Sequence, residues 1–158
     1  MKGSFHRGDL YYANLGVGVG SEQNGYRPVA IIQNDIGNRY SPTTIVAPLT
    51  TRLITKSKLP THYHISMNSG LNQPSIIMLE QIRTIDKTRL EKYIGKLSDL
   101  DIVRLNHALA ISVGLVSVSS KKEMLYLCSD CARSFSSVGP IASRKRKRSE
   151  RKNKSCNY

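Results

Sequence analysis

No apolar run in this 158-residue chain is long enough to cross a bilayer, and the opening residues Lys2, His6, Arg7 and Asp9 lack the apolar core of a signal peptide. The expectation is a cytoplasmic protein with no membrane-embedded part. Cysteine is as scarce: all three, Cys128, Cys131 and Cys156, fall late in the chain. An odd count containing one Cys-x-x-Cys pair argues against a disulfide framework and for a metal or redox site in a reducing compartment. Acidic residues are the third shortage, 11 against 24 Lys and Arg, which leaves a formal net charge of +13 and a pI near 9.9. Such a surplus calls for an acidic partner; nucleic acid is one, and charge alone leaves membrane-surface binding open as well. No internal repeat is visible.

The surplus is unevenly placed. Arg144-Lys145-Arg146-Lys147-Arg148, then Arg151, Lys152 and Lys154, gather it at the C-terminus, whereas the remainder mixes both signs. The length allows one globular domain with a core plus an appendage, not two full domains. We therefore divide the chain into a main domain over 1–116, a Ser- and Lys-rich linker over 117–125 and a basic Cys-containing tail over 126–158.

Within the main domain, Leu10 to Tyr12 open a strand, Arg27 to Gln33 form a second, and the β-branched run Thr43 to Val46 a third. Asn34, Gly37, Asn38, Ser41 and Pro42 supply turn chemistry between the last two. Pro48 removes a ladder donor, which predicts a strand edge or a bulge near Thr50. His62 to Ile65 reads as another strand, and Ser75 to Arg83 as one long buried strand. Short strands at this spacing favour a small barrel over a parallel sheet. The period then turns helical: Leu90, Tyr93, Ile94 and Leu97 predict one helix. Ser98 with Asp101 imitates a capping box opening a second, whose apolar face is Ile102, Leu105, Leu109 and Val113. His107 reads as an ordinary side chain on that helix.

Gly20 to Pro28 (GSEQNGYRP) is a Gly-rich polar loop running straight into the apolar residues Val29 to Ile32. A buried strand behind such a loop would hold Arg27 at the loop's base, where a guanidinium suits a phosphate; taken alone, pairing with a carboxylate fits the same residue. Ile31 to Thr43 (IIQNDIGNRYSPT), Lys58 to His62 (KLPTH) and Leu79 to Lys87 (LEQIRTIDK) follow in order. With Arg7-Gly8-Asp9 they closely resemble the MazF/PemK family of toxin endoribonucleases, from about Arg7 to Leu115.

That resemblance implies a compact SH3-like β-barrel with packed helices, a homodimer, and metal-independent cleavage of single-stranded RNA, restrained by a cognate antitoxin. It gives Arg27 the role of stabilising a pentacoordinate phosphorane while the 2′-hydroxyl attacks its own 3′-phosphate. Thr50 aligns with the second catalytic position, and a one-residue slip would put Thr51 there instead. Ser21, Glu22, Gln23, Glu80, Gln81 and Arg83 match positions that contact RNA, and each also fits a solvated strand or loop residue. His62 is a weaker proton-donor candidate. The run Gly16-Val17-Gly18-Val19-Gly20 is richer in glycine than the family pattern, which should loosen the loop. The apolar strand Ile76 to Leu79 carries more apolar surface than a small barrel hides, in keeping with a dimer.

Cys128-Ser-Asp-Cys131 has zinc-knuckle spacing, and Cys156 would begin a second knuckle whose last ligand falls immediately after Tyr158. The tail thus reads either as a zinc-ribbon-like unit one ligand short, with a cationic loop for phosphates, or as a basic tail with free thiols. No cofactor is implied for catalysis itself. Two rivals keep the barrel: a nucleic-acid-binding module without catalysis, and a toxin that poisons DNA gyrase by protein contact. RNA cleavage that persists in chelator separates the first from the endoribonuclease, and gyrase inhibition without RNA cleavage would favour the second, which Arg27 and the matching RNA-site motifs disfavour.

Overall fold

The computed structural model describes residues 4–52 and 59–118. Lys58, most of the expected linker, and the whole tail with Cys128, Cys131 and Cys156 lie outside these residues. In chain order the elements are β1 (Asp9–Asn14), β2 (Tyr26–Ile31), α1 (Asp35–Tyr40), β3 (Thr43–Thr50), β4 (His62–Ile65), β5 (Ser75–Met78), β6 (Arg83–Asp86), β7 (Leu90–Lys96) and α2 (Asp99–Ser112). The strands form one sheet in the order β4-β5-β3-β2-β1-β7, with β6 also pairing β3, and every pairing is antiparallel. The mainly β expectation holds.

Alternation along the central strands builds two cores. Ala30, Ile32, Ala47 and Leu49 point to one face, where Leu10, Tyr63, Ile77, Leu79 and the α2 residues Leu105 and Ala108 join them. Val29, Ile31 and Val46 point to the other, with Ala13, Leu15, Ile85 and Leu90. Because both faces are covered, Val29 to Ile32 can be apolar without a break. Each fully buried Ile or Leu of this set contributes roughly 1.5–3 kcal/mol of transfer free energy.

α2 starts as its sequence dictates. Ser98 Oγ accepts from the Asp101 N–H, and the Asp101 carboxylate accepts from the Ser98 N–H, which closes a reciprocal capping box. Ile102 and Leu109 pack on the first core, whereas Val113, expected on the same face, caps the helix and stays exposed.

Five expectations change. Leu90 to Leu97 does not form a helix: Leu90–Lys96 is strand β7, paired with β1. Two register shifts in that pairing break the two-residue alternation, and the resulting pattern mimics a helical period. The long strand over Ser75 to Arg83 is two strands, β5 and β6, separated by a 3₁₀ turn at Leu79–Gln81. The apolar surface of Ile76 to Leu79 is completely covered within one chain, so it offers no dimer face. Pro48 is not on an edge: β3 is central, with β2 on one side and first β6, then β5, on the other. Pro48 falls in the gap of that exchange, after Val46 leaves β6 and before Leu49 meets β5, where a missing donor breaks no ladder on that side.

The fifth is α1, hidden in what reads as turn chemistry. Asn34 caps it by accepting from the Gly37 N–H at 2.8 Å. The buried Asn38 then ties it to the sheet, donating to the Gln33 carbonyl at 3.0 Å and accepting from Thr44 Oγ1 at 2.8 Å. Lys87 Nζ donates to the carbonyls of Asn38 and Ser41.

The two ends of the strand path approach each other. A 3₁₀ turn at Met67–Ser69 follows β4, and after it Gly70, with φ of 84°, lies against β7. A Cβ on Gly70 would meet the Ile94 carbonyl oxygen at 2.3 Å, and one on Gly95 would meet that of Ser69 at 2.1 Å. Only hydrogen fits at either position.

Candidate active site

The β2–β3 register places the site. Val29 lies opposite Pro48, and the same register continued by two residues brings Arg27 level with Thr50. Side chains on directly opposed residues of an antiparallel pair point to the same face. Both line one cleft of about 550 Å³, bounded by the loop from Gly20 to Asn24 on one side and by Leu49 to Arg52 and Ser75 on the other.

Arg27 is half-buried at the loop's base, as the sequence implied. Its Nε donates to the Asn24 carbonyl at 2.6 Å, and its Nη1 donates to Oε1 of Gln23. Burial is the main cause holding its pKa below the usual arginine value, with the positive charges of Arg52 and Arg83 adding to it. A guanidinium so placed stays protonated at neutral pH and donates strongly. Among the described residues no carboxylate lies within ion-pair distance of Arg27, Arg52 or Arg83.

Thr50 is half-buried and its Oγ1 accepts from the Arg52 N–H at 3.3 Å. Thr51 also lines the cleft and is more exposed. Of the six residues matched to RNA contacts, Ser21, Glu22 and Gln23 line the cleft, and Glu80, Gln81 and Arg83 do not. Glu22 accepts from the Val19 N–H at 3.0 Å. Glu80 is turned away, accepting from Thr61 Oγ1 and meeting Nε2 of the buried His62, each at 2.9 Å. His62 is thereby a structural residue held by Glu80.

Gln81 grips the loop from below. Its Oε1 accepts from the Gln23 N–H at 3.3 Å and its Nε2 donates to the Ser21 carbonyl at 3.4 Å. The glycine-rich stretch before it is tied down too: Gly25 N–H donates to the Gly16 carbonyl at 2.8 Å and Leu15 N–H to that of Gly25 at 3.0 Å. The expected loosening is thus opposed by a network of main-chain bonds.

Sequence reasoning passed over Asn24, Arg52 and Ser75, which also line the cleft. Arg52 was legible as a further cation two residues beyond Thr50. Ser75 was not: it arrives through the pairing of Thr50 with Ile76. Among the described residues there is no cluster of three or more His, Cys, Asp or Glu able to hold a metal, and no helix long and apolar enough to cross a membrane.

Comparison with known proteins places this geometry among relatives. A family model described as PemK-like, MazF-like toxin of type II toxin–antitoxin system matches residues 6–113. The endoribonuclease MazF of Staphylococcus saprophyticus is 52% identical over 117 residues, which are 73% of this chain and 97% of that protein. The endoribonuclease EndoA of Bacillus subtilis is 54% identical over 111 residues, 70% of this chain and 95% of that one. Among solved structures, an endoribonuclease in complex with its cognate antitoxin from a mycobacterial species superposes with a TM-score of 0.60 at 26% identity, covering 72% of this chain and 98% of that one. MazF from Deinococcus radiodurans shares the fold, with a TM-score of 0.62 at 18% identity over 72% of this chain and 99% of that one.

Proposed function

The chain belongs to the family of PemK-like, MazF-like toxins of type II toxin–antitoxin systems, and from that premise we propose that the cleft between the Gly20–Asn24 loop and the end of β3 is where it cuts RNA. It is a toxin-type endoribonuclease. The observation that carries the site assignment is the convergence of Arg27 and Thr50, one from each side of an antiparallel ladder, on a single cleft.

In that reading single-stranded RNA lies in the cleft with its scissile phosphate on Arg27. The 2′-oxygen attacks phosphorus as its proton leaves, the phosphorane's charge falls on the non-bridging oxygens, and the bond to the 5′-oxygen breaks as that oxygen takes a proton. The products are a 2′,3′-cyclic phosphate and a 5′-hydroxyl. Arg27 and the Thr50 hydroxyl donate to the non-bridging oxygens, stabilising the transition state without a metal ion. Ser21, Glu22 and Gln23 present groups that read base edges, with Gln81 holding their backbone in place; Arg83 adds positive potential, and Glu80 acts through His62 and Thr61 as support.

The wider picture is a small SH3-like barrel over 1–116, working as a homodimer in the cytoplasm and restrained by a cognate antitoxin. The contact of Gly70 with β7, which brings the two ends of the strand path together, supports barrel closure. Beyond it, a linker over 117–125 leads to the tail, where Arg144 to Arg148 would add phosphate affinity and Cys128, Cys131 and Cys156 would hold zinc one protein ligand short of four. The deciding experiment is incubation of the purified protein with a long RNA in EDTA, followed by mapping of the cut ends; RNA left intact would overturn the reading.

A further inference from the structure

Arg52 lines the cleft beside Thr50 and Thr51. It is exposed, and its main-chain N–H donates to Thr50 Oγ1, which ties it to the end of β3. Among the described residues its guanidinium has neither a hydrogen bond nor an ion pair. Glu22, the one carboxylate lining the cleft, is engaged by the Val19 N–H. Arg27, Arg52 and Arg83 therefore gather positive charge with no counterion among the described residues, an arrangement that an entering anion relieves.

Arg27 and Arg52 differ in a way that divides the work. Arg27 is half-buried and held by two bonds to its own loop, as a group that must meet a transition state in one geometry should be. Arg52 stands at the rim, and none of the described residues engages its guanidinium. We propose that Arg52 binds the RNA phosphate next to the scissile one, so that the cleft takes two successive phosphates, one for chemistry and one for grip. This rests on the assignment of the scissile phosphate to Arg27. Arg52 binds by charge, adding affinity without reading a base.

The test uses the full chain and an RNA oligonucleotide containing the mapped cleavage site. Binding is measured with the same oligonucleotide made uncleavable by one 2′-deoxy substitution. Arg52→Gln should weaken that binding roughly tenfold or more, as loss of a charge-assisted bond does. The slope of log Kd against log salt should become shallower by about 0.7, the value for one phosphate of a single strand. The cleavage rate at saturating RNA should fall far less than with Arg27→Ala, and Arg52→Lys should restore most of the salt slope. Replacing one neighbouring phosphate by a neutral methylphosphonate, on the 5′ side in one oligonucleotide and the 3′ side in another, should erase the difference between wild type and Arg52→Gln at one of the two positions. An unchanged salt slope, a difference that survives both neutral linkages, or a loss of saturated rate as large as that of Arg27→Ala would each overturn the proposal. Should wild type leave RNA uncut, the ribonuclease assignment fails and this proposal falls with it, whereas any of the three results above obtained with RNA still cut overturns the role of Arg52 alone.

Discussion

Oε1 of Gln23 accepts a hydrogen bond from Nη1 of Arg27, and the Asn24 carbonyl accepts from its Nε, so the loop holds two of the guanidinium's five N–H donors and leaves three for a phosphoryl oxygen. Gln81 in turn holds the loop by its backbone at Ser21 and Gln23.

That backbone grip is measurable by hydrogen exchange. Gln81→Leu keeps the size of the side chain and removes both bonds. The Gln23 amide should then exchange roughly fivefold faster, in keeping with a bond worth about 1 kcal/mol, while core amides such as that of Ile31 keep their protection. Equal exchange in both proteins would show that the loop is held by other means.

Arg27→Ala and Thr50→Ala should each lower single-turnover cleavage by about 10²–10³-fold, the usual loss when a donor to a developing oxyanion is removed. Neither residue belongs to the two cores, so circular dichroism and the melting temperature should change little. Thr51→Ala should be milder. An inactive Thr51→Ala beside a normal Thr50→Ala would move the catalytic position by one residue.

The nucleophile can be tested on the substrate alone. A single 2′-deoxy nucleotide 5′ of the scissile phosphate should stop cutting there and leave binding intact. Cleavage of that substrate at the ordinary rate would require water as nucleophile, and products with a linear 3′-phosphate from the first turnover would point the same way.

Stability in acid should depend on Asp101. Burial would raise its pKa, but hydrogen bonds from Ser98 and Tyr63, with the charge of Arg104, together hold it below the usual carboxylate value. A carboxyl depressed in the folded state contributes stability that is complete above its unfolded pKa, about 4, and is lost as pH falls toward the folded value. Tyr63→Phe removes the 2.5 Å bond from the tyrosine hydroxyl. Its melting temperature should therefore fall less between about pH 5 and pH 2.5 than that of wild type. Parallel curves would exclude this linkage.

Deleting everything after about Ser120 should leave the cut-site map unchanged while reducing affinity for RNA and making its salt dependence shallower. An altered map would mean that the tail reads bases; an unchanged slope would mean that it does not touch RNA.

Much of this was legible from the chain. Strands around Leu10, Arg27 and Thr43 were visible as apolar or β-branched runs between turn residues, and the capping box of α2 was spelled out by Ser98 and Asp101. Arg27 and Thr50 were found through the motifs, although long stretches of those motifs prove to be scaffold: Asn34, Asn38 and Lys87 hold α1 to the sheet. What could not be read was set by partners distant in sequence. The shifts that break the pattern of Leu90 to Lys96 arise from β1, and the place where Pro48 is harmless exists only because β6 ends as β5 begins.

Arg27 and Thr50 sit on strands whose register is made of main-chain bonds, whereas the side chains proposed to meet the bases hang on a loop outside them. Chemistry and preference are therefore separable parts. On the proposed assignment, the residues from Gly18 to Glu22 can be exchanged for those of a relative, with Gln81 kept as the anchor of the loop and Gln23 and Asn24 kept as the partners of Arg27. This chain is for that reason a suitable frame for retargeting: a library confined to those residues varies the groups proposed to meet the bases and leaves the contacts of Arg27 in place.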